Sequence, residues 1–374
     1  VTIYETRVYA VTSTGETLTT SIETFATLFE SSGTKDDPHL IADYNQLLAF
    51  SEIVAHGYKM GGELVRLCAD IDLKGDQGVL WEPIRSNSGG NSSFEGEFDG
   101  QGHILSHMYI DTKKCYAGFF GLFRGYVHDL TIVDSEIKCN TAPSTNSYYA
   151  GVGGFVGSSV WYSSVYPCIA QRCGFEGCII GGNAIGGIIG AVATVDAVND
   201  CYANVDITYT QNIKSYSSKT GVGGVVGEGN ALNSYATGTI TINNTFGVSY
   251  GPVAGLYYKD TNPDVNSYYD MICNKSYTNV SDDISMTAVE MTSDAFLNSL
   301  TADVWTRADH LNEGYPVFAS RDVSRVTTSD AGHSANGDVE ISAIYMAGAD
   351  KEYQTHGFQW YSKMGDAMNI IETV

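Results

Sequence analysis

Paired carboxylates are the residues in this chain whose types and spacing come closest to chemistry. Glu97 and Asp99 stand two apart, and Asp196 and Asp200 stand four apart. Two carboxyl groups on one face supply the acid and base of glycoside hydrolysis. Their local settings favour a structural reading. FDGQGH puts Asp99 directly before Gly100, where Asp is favoured because it hydrogen-bonds nearby backbone in a turn. Asp196 and Asp200 are expected in a solvated loop. His103 and His107 are four apart, but their surroundings read as strand and turn, so the spacing makes no zinc-binding helical face. The sequence contains no HExxH, no DxDxDG calcium loop and no phosphate loop. The eight cysteines form no CxxC pair and are expected as buried free thiols, with one or two disulfides as the alternative. Tyr148, Tyr149, Trp161, Tyr162 and Tyr166 fall in loops, where aromatic rings could stack on a glycan; a packed ladder or contact surface is the competing role. No catalytic, metal or cofactor residue is assigned, and a non-enzymatic protein is expected.

The elements that would carry these residues come from an internal repeat. Segments such as GFFGLFRGYVHDLTIVDSEI (118–137), GGFVG (153–157) with IAQRCGFEGCIIG (169–181), and IGGIIGAVATVDAVNDCYANVDI (185–207) share one form. GVGGVVGEGNALNSYATGTITI (221–242) and GPVAGLYYKDTNPDVNSYYD (251–270) continue it. Each is a Gly-rich turn followed by a short polar–apolar strand. Aligned, Leu130, Cys173, Cys201, Ser234 and Ser267 share a column, and the residue before each is polar: Asp129, Arg172, Asp200, Asn233 and Asn266. One such unit has too few strands to bury an apolar face, whereas stacked units make a continuous core. The units are shorter than the blade of a β-propeller. The expectation is an all-β parallel β-helix, a solenoid.

LVRLCADIDLKG (64–75), WEPI (81–84) and FEGEFDGQGHIL (94–105) resemble the entry of GLUG-motif proteins. The GFFGLF and GGxxG units match the coil motif of that family, and EMTSDAFLNSL with VWTRADHLNEGYPVF (290–318) resembles the tail after the last coil. The resemblance covers roughly residues 35–320. It implies a parallel β-helix on a secreted bacterial or archaeal surface protein, usually tied to adhesion or surface display. Some members are IgA-specific metallopeptidases whose zinc domain lies elsewhere in the chain, and HExxH is absent here.

Solenoid ends expose strand edges, so caps are expected. Residues 43–56 place Leu47, Leu48, Phe50, Ile53 and Val54 at helical spacing behind Asp43, a lid on the first coil. Thr292 or Ser293 is expected to cap a short helix through Leu300, with Trp305 and residues 315–318 covering the last coil.

Beyond the caps, 321–374 resembles the opening strands of a fibronectin-type-III-like sandwich, with Val339, Ile341 and Ala343 on one face and Phe358 and Trp360 on another. Residues 1–34 resemble the closing strands, with a turn at Ser13–Gly15 and Tyr4, Thr6, Val8 and Ala10 alternating inward; Tyr4 is placed like a tyrosine corner. Eight to ten coils at roughly 4.8 Å would hold the two flanks at opposite ends, about 40 Å apart. The halves are therefore expected to meet between neighbouring copies, as a head-to-tail surface filament or as covalent tandem repeats; two partial flanking domains of a larger surface protein are the competing reading.

The net charge of −23 disfavours nucleic acid and anionic membranes, and no apolar run is long enough to insert in a bilayer. Self-association is the leading partner expectation, with a host or matrix glycan or protein as a further one. Localisation is expected to be extracellular, at the cell surface or secreted. A carbohydrate-binding or polysaccharide-degrading β-helix is the alternative.

Overall fold

Gly-rich turns and short alternating strands serve one pattern here, three parallel sheets that the chain visits in rotation. The computed structural model describes residues 29–85, 93–114, 116–139, 150–159, 168–181, 183–192, 197–210, 220–245, 247–256, 266–279 and 283–321, and the backbone of short strands in both flanks. One five-stranded sheet contains Tyr116–Ala117, Gly151–Gly153, Ala184–Gly186, Thr220–Gly223 and Val248–Gly251. A second contains Phe120–Phe123, Val156–Ser159, Ile189–Ala191, Val226–Glu228 and Ala254–Leu256. The longest runs from His39–Ile41 through Leu64–Leu67, Glu97–Asp99, Tyr126–Cys139, Ile169–Gly181, Tyr202–Tyr209, Tyr235–Ile242 and Tyr268–Cys273 to Ile284–Ser285. Pairing along all three is parallel. This strand-rich, all-β body is consistent with the expected parallel β-helix.

Register stacks like on like. Ile137 faces Ile179, which faces Ile207, then Ile240 and Cys273. A second rung passes from Phe155 to Ile188, Val225 and Val253, whose backbone N–H groups each donate to the next carbonyl. All of these but Cys273 are buried. At the early end Phe94, Phe98, Phe119, Phe120 and Phe123 pack ring on ring, and helix α1 (Tyr44–Ala55) sets Phe50 5.5 Å from Phe94 and 5.6 Å from Phe98. The Asp43 side chain caps α1 by accepting from the Gln46 N–H at 2.9 Å, and Leu47, Phe50, Ile53 and Val54 are buried. α1 is the expected lid; Leu48 is only half-buried.

Two corners shape each turn. At the first, Gly154 N–H donates to Gly187 O, Gly187 N–H to Gly224 O and Gly224 N–H to Pro252 O, at 3.0, 3.0 and 3.1 Å. At the second, within or just before the strands of the long sheet, a recurring residue has positive φ: Asp129 (53°), Arg172 (50°), Asp200 (50°), Asn233 (50°) and Asn266 (51°). These are the five polar residues of the sequence column. Asn and Asp tolerate the left-handed region best, and Arg172 is the exception. Asn233 also donates to Asn199 Oδ1 at 3.1 Å and accepts from Asn266 at 3.3 Å. Asn233→Ala should therefore cost about 1–2 kcal/mol, from backbone strain and lost hydrogen bonds, with Asn233→Gly recovering the strain part. Urea midpoints of the two variants check this.

The tail departs from expectation. Helices α2 (Ala288–Met291) and α3 (Asp294–Leu297) are capped by Thr287 and Ser293, and Trp305–Thr306 pairs with Val317–Phe318. This segment does not close the last turn. It runs back along the outer face of the long sheet, where Tyr202, Tyr235 and Tyr268 face one another in register. Phe296 packs 5.1 Å from Tyr268, Trp305 5.6 Å from Tyr235, and Phe318 5.3 Å from Tyr202. The reason is the tyrosine column itself: an outward stack of rings is a large apolar surface that folding covers. Of the expected helical caps, only α1 sits at an end.

In the amino-terminal flank, Ile3–Thr6 pairs antiparallel with Glu23–Ala26 and Tyr9–Val11 with Thr17–Thr19; the turn expected at Ser13–Gly15 lies outside the described residues. Tyr4, Thr6 and Ala10 lie in these strands, and Val8 is outside the described residues. Residues Asp322–Val374 form a separate compact unit. Within it Arg325–Thr328 pairs with Ala343–Met346, Gly332–His333 with Val339–Glu340, and Gln359–Met364 with Ala367–Thr373. Val339, Ala343 and Trp360 lie in strands; Ile341 and Phe358 are outside the described residues. The strands Arg325–Thr328 and Gly332–His333 were not expected from sequence.

Candidate functional site

Parallel register brings the ionisable groups together. Arg66 faces Asp99, Asp99 faces His128, and His128 faces Gln171, one rung on each of four successive strands. Beside them the left-handed corner turns Asp129 and Arg172 toward the same patch. Arg66 Nε donates to Asp99 Oδ2 at 3.1 Å, and the Gln101 N–H donates to Asp99 Oδ1 at 3.0 Å, the turn contact that the FDGQGH motif suggested. His128 Nδ1 lies 2.7 Å from Asp129 Oδ2, and its Nε2 lies 3.1 Å from Glu97 Oε1. Arg172 grips Asp129 with two bonds, Nε at 2.5 Å and Nη2 at 2.6 Å. That fork explains how an arginine is held at a left-handed corner.

Burial pulls the His128 imidazole down, but hydrogen bonds to Asp129 and Glu97 and the charge of Asp99 outweigh it and raise its pKa. Burial pushes the Asp129 carboxyl up, yet Arg172 and His128 hold it at about 2. Both ring nitrogens of His128 thus face carboxylates, which favours the protonated ring over a free base. The ligand atoms of Asp99, His128 and Asp129 lie within 4.8 Å of one another. A cation does not fit there, because Arg172 occupies both oxygens of Asp129, and Arg66 and Gln101 occupy those of Asp99. The patch is a closed charge network.

The other expected residues diverge. His103 Nδ1 lies 3.0 Å from Asp70, while His107 Nδ1 lies 3.0 Å from Asp72 and 4.0 Å from Asp76. His107 borders a shallow recess of about 210 Å³ with Asp76, Asp134 and Glu136. The hydrogen bond to Asp72 raises its pKa. Asp200, expected in solvent, is buried instead and accepts from Thr301 of the tail; the returning tail covers it. Asp196, Tyr148, Tyr149, Trp161, Tyr162 and Tyr166 lie outside the described residues. The column of Tyr202, Tyr235 and Tyr268, in which Tyr202 and Tyr235 stack at 5.5 Å, was not singled out from sequence, although each recurs at one place in the repeat. The seven described cysteines are free, and burial pushes the Cys168 thiol up to about 12. Cys201 Sγ accepts the Cys173 N–H at 3.4 Å, as Ser234 Oγ accepts the Cys201 N–H at 3.1 Å. Thiol and hydroxyl fill the same role in that column.

No family model matches the chain, and no curated protein matches it. Among solved structures, the chain is similar to a protein from Bacteroides ovatus named a "putative immunoglobulin A1 protease". The match has 19% identity, covers 79% of this chain and 96% of that one, and has a TM-score of 0.53. The likeness is one of fold.

Two titrations give the body a pH signature. Burial raises the Glu228 carboxyl to about 7, against smaller opposing hydrogen bonds from Gly221 and Thr220. An acid whose folded pKa is raised loses stability as pH climbs from its unfolded value near 4.3 to about 7. A histidine whose folded pKa is raised contributes stability below its unfolded value of about 6.5 and loses it as pH passes the folded value. Both act in one direction, so the protein should be more stable at pH 5 than at pH 8, by about 1–2 kcal/mol after allowance for partial exposure. Glu228→Gln should flatten the lower part of this profile and His128→Gln the upper part, in urea titrations across that range.

Proposed function

We propose that this chain is a parallel β-helix acting outside the cell as a non-enzymatic structural or adhesive module. In this reading it is one unit of a surface filament or stalk whose terminal strands complete a sandwich with the neighbouring unit. The observation that carries the reading is the contrast between body and flanks. The body's ionisable ladder is saturated by its own partners. The flanking strands, among the described residues, pair only into two-stranded sheets. A two-stranded hairpin is marginal alone in water and gains most from added strands. The GLUG-like coils and the acidic composition agree with surface display. The tyrosine column is covered by the tail, which removes it as a sugar-stacking platform.

Electron microscopy of native material, paired with intact mass, tests this. Filaments built from units of one chain's mass would support strand complementation, and a much larger mass would support covalent tandem repeats. A dispersed monomer at micromolar concentration would sink the filament.

A further inference from the structure

Among the described residues, two sets of His and Asp side chains bring three ligand atoms within 4.8 Å of one another: Asp99, His128 and Asp129, and Asp72, Asp76 and His107. The first is closed to a cation by its own arginines. The second is open. His107 Nδ1 lies 3.0 Å from Asp72 Oδ1 and 4.0 Å from Asp76 Oδ1. A tetrahedral zinc ion, with bonds of about 2.1 Å, holds its ligands about 3.4 Å apart, between those two separations. The main chain fixes the donors in place. His107 N–H donates to Val133 O at 3.1 Å, Gly75 N–H to His107 O at 2.8 Å, and Lys74 N–H to Asp72 Oδ1 at 2.8 Å. The lysines that could fill the site are engaged elsewhere: Lys74 Nζ lies 4.5 Å from the centre of the Tyr44 ring, and Lys138 Nζ pairs with Glu136 at 2.9 Å. Among the described residues, the charged partner of the Asp76 carboxylate is His107 alone.

We propose that Asp72, Asp76 and His107 bind a divalent transition-metal ion of the zinc class, with Asp134, which lines the same recess, completing the set. An imidazole nitrogen among carboxylates suits such an ion better than calcium or magnesium, which take oxygen ligands. The ion takes the place of the proton on His107 Nδ1, which leaves to solvent. Its role is structural. Asp72 pairs in register with Ser106, and Ser106 with Val133, so the ligands stand at the ends of three successive strands of the stack. One ion there ties the early turns together and offsets the repulsion between carboxylates that parallel register has brought face to face. This site is independent of the filament reading: it belongs to the body and asks nothing of the flanks.

Zinc titration of the full chain by isothermal titration calorimetry, after EDTA treatment and dialysis, tests this. The unmodified protein is expected to bind zinc with micromolar affinity, and to melt about 5 °C higher at roughly a hundred times the dissociation constant. His107→Gln should weaken that binding about 100-fold and Asp76→Asn about 10-fold. His103→Gln, whose ring pairs with Asp70 at 3.0 Å, should leave it unchanged. The difference between the unmodified protein and these variants separates this site from other zinc ligands such as the exposed Cys68. Asp76 is exposed, so its variant keeps the comparison valid if His107→Gln does not fold. Equal zinc affinity with and without the Asp76 and His107 side chains would overturn the site, as would binding by the unmodified protein no tighter than about 1 mM.

Discussion

Gly187→Ala is expected to destabilise the protein by more than about 3 kcal/mol and to leave little folded material at 37 °C. A Cβ there would meet Gly224 O at 2.3 Å and Ala203 Cβ at 2.4 Å. Ordinary overpacking costs about 1–3 kcal/mol because neighbouring side chains can shift. At this corner the obstacle is the carbonyl of the next turn, which already accepts the Gly187 N–H at 3.0 Å. Relief requires the turns to separate, and that breaks the parallel ladder on both sides. Guanidinium unfolding followed by far-UV circular dichroism gives the number. A shift equivalent to less than 1 kcal/mol would mean that the turns are not packed backbone to backbone at this corner.

Trp305→Ala is expected to cost about 3–5 kcal/mol, the range for deleting a buried aromatic. The indole is 7% exposed and packs 4.8 Å from Phe318, 5.6 Å from Tyr235 and 6.2 Å from Tyr202. Its loss removes the middle of the tail's grip and leaves the tyrosine column exposed to water. The parallel body has its own core, so the damage should be local. Limited proteolysis should cut within residues 286–321 well before the body, and hydrogen exchange should rise there first. Cooperative unfolding of the whole body with no early tail cleavage would show instead that the tail is integral to the fold's stability.

How far the sequence carried depended on whether a feature was periodic. The polar column at Asp129, Arg172, Asp200, Asn233 and Asn266 could be aligned by eye, and the structure supplies its cause, a left-handed corner repeated in each turn. Helix α1 was legible from its apolar spacing and the Asp43 cap. The tail's direction was not. Trp305 and residues 315–318 read as cover, but nothing local says which surface they cover. The answer lies in a tyrosine column assembled from separate turns. The charge network was hidden for a related reason. Its members are separated by 33 residues from Arg66 to Asp99 and by 43 from Asp129 to Arg172, because the loops between turns differ in length. Unequal loops erase a fixed spacing while parallel register preserves the contact.

The inner rung from Phe155 through Ile188 to Val225 and Val253 has a further consequence, for ancestry. Side chains shrink along the series, so the turns are not interchangeable copies. A duplicate of the Phe155 turn inserted late in the stack would overfill it, and a valine turn inserted early would leave a void beneath the phenylalanine cluster. Where neighbours match, at Val225 and Val253, an extra turn meets a rung of its own size. Lineages of this protein should therefore gain and lose turns near that end, and keep the bulky early turns constant in number.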